Sequence, residues 1–152
     1  MATNTIELEF ADGVYLFALP LERIDELQTK CKIGIGGLFQ RLLKGCITDP
    51  LTGQVIGNPA ASEFYAVDII ETLKQGLIGG GRGSVDGVEV KVTPLIANQL
   101  IRNYVLDRPL AESWSLAVSV LVACIVGYDP PKKDEPAEER APEMAKEQTT
   151  DA

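Results

Sequence analysis

Three stretches of this chain carry apolar residues at helical spacing, and each begins with a proline just after a residue that can cap a helix. The starts are Asn58-Pro59, Thr93-Pro94 and Asp107-Arg108-Pro109. An Asn or Thr side chain accepts a hydrogen bond from the first helical turn, and proline is tolerated at the first position because its missing N–H has no partner there. A fold built mainly from amphipathic helices is therefore predicted.

Five helices are predicted from such patterns. Pro20 opens the first, Gly34, Gly36 and Gly37 separate it from a short second helix that ends at Gly45, and residues 46–58 then form a small hairpin or an ordered loop. The apolar stripes of the five helices are Ile24, Leu27 and Cys31; Leu38, Phe39, Leu42 and Leu43; Phe64, Val67, Ile69, Ile70, Leu73 and Leu77; Leu95, Ile96, Leu100, Ile101 and Val105; and Leu110, Trp114, Ala117, Val118, Leu121 and Ile125.

Strand patterns are found mainly near the N-terminus. Thr5–Phe10 alternates apolar and acidic residues, a turn at residues 11–13 has a glycine able to take positive φ, and residues 14–19 return. Residues 88–92 also alternate, which predicts a short strand or an extended connector. Because a lone hairpin is marginally stable in water, its apolar face must pack on the helices or on another subunit. The predicted fold class is α+β, mainly α, with the N-terminal hairpin packed on a bundle of about five helices.

The chain changes composition after Gly127. Residues 129–152 hold eight acidic and four basic residues, a net −4 that is half of the total charge of −8, and Met144 is their one sizeable apolar residue. Such a segment buries too little surface to offset its ordering entropy. We therefore predict one domain over residues 1–128 and a disordered acidic tail over 129–152.

The residue content argues against an enzyme and against a metal or cofactor. The chain has no histidine, which removes the commonest general base and metal ligand. Cys31, Cys46 and Cys124 are widely spaced with no CxxC motif, so a zinc site is not expected, and Cys124 is interpreted as a core residue. A function in binding another protein is predicted instead.

Charge and hydropathy exclude two further classes of partner. With 22 acidic and 14 basic residues and no basic cluster, the chain is not expected to bind nucleic acid or an anionic membrane. The N-terminus lacks the features of a signal peptide, and the longest apolar stretch, residues 116–126, is shorter than the roughly 20 residues that span a bilayer. A cytoplasmic location is expected.

Three features have both a functional and a structural interpretation. The glycine-rich residues 76–84 do not fit the phosphate-binding P-loop pattern, so we interpret them as a left-handed helix cap followed by a flexible link. Trp114 is either a partner anchor or a core residue. The carboxylates of the first and third helices are interpreted as solvated polar faces and not as acid–base or metal pairs; these are Glu22, Asp25, Glu26, Glu63, Asp68 and Glu71.

Several short motifs occur in a fixed order along residues 4–128. After the hairpin they are Leu21-Glu22-Arg23-Ile24-Asp25-Glu26-Leu27, Gly34-Ile35-Gly36-Gly37-Leu38, Arg41-Leu42-Leu43-Lys44-Gly45, Gly76-Leu77-Ile78-Gly79-Gly80-Gly81, and Arg108-Pro109-Leu110 with an apolar run that ends at Gly127. This order resembles the tail-assembly chaperones of gene transfer agents and related siphophages. The sequence departs from that pattern at residues 49–57 and 88–92, which are longer here and leave the local loop geometry open.

The resemblance implies a chaperone that keeps the tape-measure protein soluble in the host cytoplasm and is absent from the mature particle. It further implies a longer, frameshifted form that recruits tail tube subunits. We also expect self-association. Partner contacts are assigned to faces of the third and fifth helices that the core does not use, near Leu73, Leu77, Trp114 and Leu121.

Other classes of function remain as alternatives. The first is a structural virion protein of the tail, such as a tube or connector subunit. The second is an enzyme that uses carboxylates or cysteine, against which the missing histidine argues. The third is a host regulatory adaptor unrelated to phage.

Overall fold

The N-terminal hairpin is one half of a larger antiparallel sheet. The computed structural model describes residues 2–48 and 55–129. The strands in this part of the chain are β1 (Thr5–Phe10), β2 (Gly13–Ala18), β3 (Cys46–Thr48), β4 (Val55–Gly57), β5 (Arg82–Val85) and β6 (Val88–Lys91). The helices are α1 (Leu21–Cys31), α2 (Ile35–Leu43), α3 (Ala66–Gly80), α4 (Pro94–Tyr104) and α5 (Leu110–Ile125). The predicted class, a sheet packed on five helices, is confirmed.

Two hairpins join side by side to make the main sheet. Its strand order is β1-β2-β5-β6, and every neighbouring pair is antiparallel. The second hairpin closes at Asp86 and Gly87, which both have positive φ, 51° and 78°. Asp-Gly is a favoured pair for such a turn because its backbone matches the twist of the strands. β3 and β4 form a separate hairpin within residues 46–57, as predicted, although residues 49–54 lie outside the described part.

Helix α3 lies against β2 because glycine removes the side chains between them. A Cβ atom on Gly79 would lie 2.0 Å from the carbonyl oxygen of Ala18, and one on Gly80 would lie 1.8 Å from that of Leu16. Gly81 ends the helix with φ 72°, and its N–H donates to the carbonyl of Leu77 at 2.9 Å. The helix thus covers the stretch of β2 that β5 does not pair.

The residues from Gly81 to Lys91 correct one prediction and complete another. We predicted a glycine cap followed by a flexible link. The cap is found, but the link is strand β5, where Gly83 pairs with Tyr15 of β2. A Cβ atom on Gly83 would lie 2.5 Å from the Tyr15 ring, so its glycine serves close packing. The alternating residues that follow form β6.

Two helix starts also differ from the prediction. Asn58 does cap, by accepting from the N–H of Ala60 at 3.0 Å, but it caps only a single 3-10 turn, and α3 begins at Ala66. There Asp68 supplies the capping carboxylate, accepting from the Tyr65 N–H at 2.8 Å. Gly36 and Gly37 lie inside α2 and not before it. Thr93 caps α4 as predicted, accepting from the N–H of Ile96 at 3.3 Å.

The hydrophobic core lies between the sheet and the helices, with α3 at its centre. Helix α3 packs on β2, α1, α4 and α5, and α5 also packs on β1 and α2. Phe17 of β2 is fully buried there. The ends of the described chain meet at the edge of the sheet, where Thr3 and Tyr128 exchange two backbone hydrogen bonds of 2.8 Å.

Two predictions concern segments at the limit of the description. Apart from Asp129, the predicted acidic tail lies outside the described residues. Within residues 2–48 and 55–129, no helix has the length and apolar character needed to cross a membrane.

Candidate interaction surface

All four residues predicted to contact a partner are buried. Leu73, Leu77 and Leu121 are 0 % exposed and Trp114 is 6 % exposed. The indole N–H of Trp114 donates to the carbonyl of Leu42 at 2.9 Å, which fixes the ring between α2 and α5. The premise that these residues lie on helix faces outside the core is wrong, because the apolar stripes of α3 and α5 are the core itself. Contact with a partner stays a prediction, but the folded domain offers none of them as surface.

Two carboxylates expected on solvated faces are also buried. Asp68 and Glu71 both point inward from α3. Asp68 accepts from the Arg41 guanidinium at 2.5 Å, and the same guanidinium donates to the carbonyl of Cys31 at 3.3 Å. One cation thus holds the end of α1, the side of α2 and the start of α3. This arrangement is structural, because a buried carboxylate requires a charged or hydrogen-bonding partner.

Glu71 has partners of its own in the same helix. Its carboxylate accepts from the Gln75 side-chain amide at 3.2 Å and lies 3.8 Å from the Lys74 ammonium. Gln75 in turn accepts from Arg23 of α1 at 3.0 Å. This second polar cluster therefore also ties α1 to α3.

The three thiols lie in environments that suppress their reactivity. Burial, together with the charge of Asp68, raises the pKa of Cys31 to about 12. Burial also raises the pKa of Cys46 and of Cys124. Since the thiolate is the nucleophile and the metal ligand, none of the three is activated. Among the described residues there is also no cluster of His, Cys, Asp or Glu able to hold a metal ion.

An apolar groove of about 300 Å³ opens beside α5. Trp114, Val118 and Val122 form one side of it, and Ile6 of β1 and Leu43 of α2 lie opposite. Such a groove accepts an apolar side chain or a small apolar molecule. It contains no charged group that would select a ligand.

The sheet leaves one of its two faces uncovered. Tyr15 and Phe17 of β2 point into the core, so their neighbours Val14 and Leu16 point the other way. The strand register places further residues on the same side, because directly opposed residues share a face. We call this side the outer face; its members are Glu7, Glu9, Val14, Leu16, Arg82, Ser84, Glu89 and Lys91. Seven of these line a shallow depression of about 250 Å³, together with glycine residues.

Charges on the outer face are separated by strand. Glu7 and Glu9 lie on β1, while Arg82 and Lys91 lie directly opposite each other on β5 and β6. Like charges in opposed positions destabilise a sheet. Within residues 2–48 and 55–129, none of the four makes an ion pair or a side-chain hydrogen bond. Three strand spacings of about 4.8 Å separate β1 from β6, which exceeds the screening length of about 8 Å at physiological salt. The two sets therefore do not neutralise each other within one subunit.

Sequence reasoning found the acidic half of this face and missed the basic half. Alternation in Thr5–Phe10 correctly placed Glu7 and Glu9 on a polar side. Arg82 was assigned to a flexible link, although Asp86-Gly87 between two short alternating runs is a strong hairpin signal. Reading that dipeptide as a turn would have paired Arg82 with Lys91.

Comparison with known proteins adds one finding. A family model described as "Phage tail tube protein, GTA-gp10" matches residues 3–127, which is nearly all of the described chain. Searches of curated proteins and of solved structures gave no match.

Proposed function

This chain belongs to the family described as phage tail tube protein, GTA-gp10, and from that premise we propose that it is a structural subunit of the tail of a phage or gene transfer agent. The observation that carries the proposal is the extent of the family match. It begins at Thr3 and ends at Gly127, so it includes every helix and strand of the fold.

The family assignment corrects the predicted function. Resemblance to tail-assembly chaperones led us to expect a protein that binds the tape-measure protein and is absent from the particle. The matching family is one of tail tube proteins, so the chaperone interpretation is wrong and the structural alternative replaces it. The short motifs correctly indicated phage or gene transfer agent tails, but their order does not distinguish a chaperone from a tube subunit.

The surface of the domain supports a role in a polymer of identical subunits. Its buried residues are occupied by the fold, whereas the outer face of the sheet carries the exposed apolar Val14 between unpaired charges. Strands at both ends of the sheet also have an unpaired side, which natural monomers usually blunt or cover. A subunit that is surrounded by copies of itself needs such surfaces.

Purified particles test this proposal directly. Quantitative mass spectrometry should find the chain in many copies per particle, in a fixed ratio to the major capsid protein. A strain that lacks the gene should produce filled heads without tails, as seen by negative-stain electron microscopy. A particle fraction that lacks the chain, from a strain that still makes complete tails, would refute the structural role.

A further inference from the structure

We propose that copies of this chain associate edge to edge, with the acidic β1 edge of one copy against the basic β6 edge of the next. The inference rests on the proposed function and deepens it by naming the surface through which subunits meet. Glu7 and Glu9 mark the acidic edge, and Arg82 and Lys91 mark the basic edge. The occupant of each edge is a second copy of this chain, identified by charge complementarity.

The backbone at β1 has free hydrogen-bonding groups on its outer side. Thr3, which continues β1, directs both its N–H and its C=O to Tyr128 on the side away from β2. In an antiparallel strand, alternate residues bond to the same side. Thr5, Glu7 and Glu9 therefore direct their N–H and C=O groups outward, and among the described residues no strand pairs with them.

The same parity holds at β6. The N–H of Val92 donates to the carbonyl of Gly81, on the β5 side, at 2.9 Å. Even-numbered residues of β6 thus bond toward β5, and Glu89 and Lys91 direct their backbone groups to the free side. In the described part of the chain, this edge is likewise unpaired.

The two edges match in direction, parity and face. The strand directions alternate along β1-β2-β5-β6, so a β1 strand placed beside β6 in the same orientation of the whole subunit runs antiparallel to it. Odd residues of both strands have free backbone groups and point their side chains to the outer face. A register that places Lys91 opposite Glu7 or Glu9 of a second copy satisfies all three conditions. Either choice puts a carboxylate beside an unpaired cation.

This mode of pairing joins two different edges and leaves one of each free. Such head-to-tail interfaces generate closed rings or open filaments, whereas an interface that pairs a patch with itself stops at a dimer. Backbone hydrogen bonds supply affinity, as in other cases of strand addition, and the charged side chains select the partner edge and the register.

Charge reversal followed by mixing tests the inference. The first variant combines Glu7→Lys with Glu9→Lys, and the second combines Arg82→Glu with Lys91→Glu. Sedimentation velocity at low salt should show association of the native chain, which weakens as salt is raised. Each variant alone should associate about tenfold or more weakly, because its two edges then carry charge of one sign. A 1:1 mixture should recover association, since each reversed edge finds its complement on the other variant.

Matched controls separate edge pairing from a general effect of net charge. Glu22→Lys with Asp25→Lys, and Lys32→Glu with Arg102→Glu, change the net charge equally at exposed positions on or beside helices. They should leave association unchanged, and circular dichroism should show all variants folded. Equal loss in the controls, or no recovery in the mixture, would overturn the inference. Particle mass spectrometry is independent of this assay, so the structural role and the edge pairing can fail separately.

Discussion

The ion pair between Arg41 and Asp68 is the interaction in this molecule whose loss should cost most. Replacing Arg41 with Met leaves the fully buried Asp68 carboxylate without its cation. Breaking a buried pair from one side costs about 3–5 kcal/mol. Urea denaturation should show the free energy of unfolding of R41M lowered by that amount.

The same helix offers the control for that variant. Lys44 pairs with Glu63 at 2.6 Å, but both side chains are more than half exposed. Exposed pairs contribute about 0–1 kcal/mol, so Lys44→Met should change stability little. Equal losses in the two variants would mean that burial does not govern these pairs.

The two turns of the main sheet make opposite predictions for glycine. Ala11 adopts φ 57°, a left-handed conformation that costs a residue with a side chain about 1–2 kcal/mol. The positive φ was predicted at Gly13, which instead starts β2. Ala11→Gly should therefore raise the free energy of unfolding by up to about 1 kcal/mol. Gly87→Ala, at φ 78°, should lower it by about the same amount, and thermal and urea denaturation measure both.

Alkaline pH should weaken the fold through Cys31 and Tyr15. Burial raises the pKa of Cys31 from 9.0 to about 12, and burial with the hydrogen bond to Asp12 raises the pKa of Tyr15 above 10.0. Since the unfolded chain releases these protons first, their contribution is complete below about pH 9 and is lost as pH rises toward 12. The free energy of unfolding should fall between pH 8 and 11, and Cys31→Ala should reduce the slope. A slope that C31A leaves unchanged would exclude this thiol as its cause.

At the scale of elements, the contact between α3 and β2 depends on a missing side chain. Gly80→Ala would place a methyl group 1.8 Å from the Leu16 carbonyl oxygen, which forces the helix away from the strand. A loss of about 2 kcal/mol or more is expected from this overpacking. Gly36→Ala is the control, because Gly36 is also helical but has nothing within 4 Å. It should stabilise by about 0.5–1 kcal/mol, and a similar result for G80A would refute the packing argument.

The elements that sequence reasoning predicted well are those with a local signal. Alternation in β1, the Thr93 cap of α4 and the stripe of α5 each lie within one segment. The errors arose where distant contacts decide. Asp68 and Glu71 look like surface residues until α1 and α2 pack against them, and Gly79 and Gly80 look like a link until β2 approaches. The candidate surface was half predictable for the same reason, since Arg82 joins it only through strand pairing.

At the scale of the whole molecule, stability should depend on residues up to the contact between the chain ends. A chain that ends at Asp129 should unfold within about 0.5 kcal/mol of the full-length protein, as expected for a disordered tail. One that ends at Val126 loses the two hydrogen bonds between Thr3 and Tyr128, and should lose about 1 kcal/mol or more. Thermal denaturation of the two truncations checks this, and equal stability would mean that the bridge contributes nothing.

The bridge between Thr3 and Tyr128 also makes the folded chain nearly circular. A short linker from Tyr128 to Thr3 would close it, and the exposed turn at Asp86 and Gly87 is a place to reopen it. The permuted protein would keep its strand order while its new ends emerge between β5 and β6, on the far side of the sheet from the old ones. A fluorescent label or peptide tag could then be carried on either flank of the domain without altering the residues of its core.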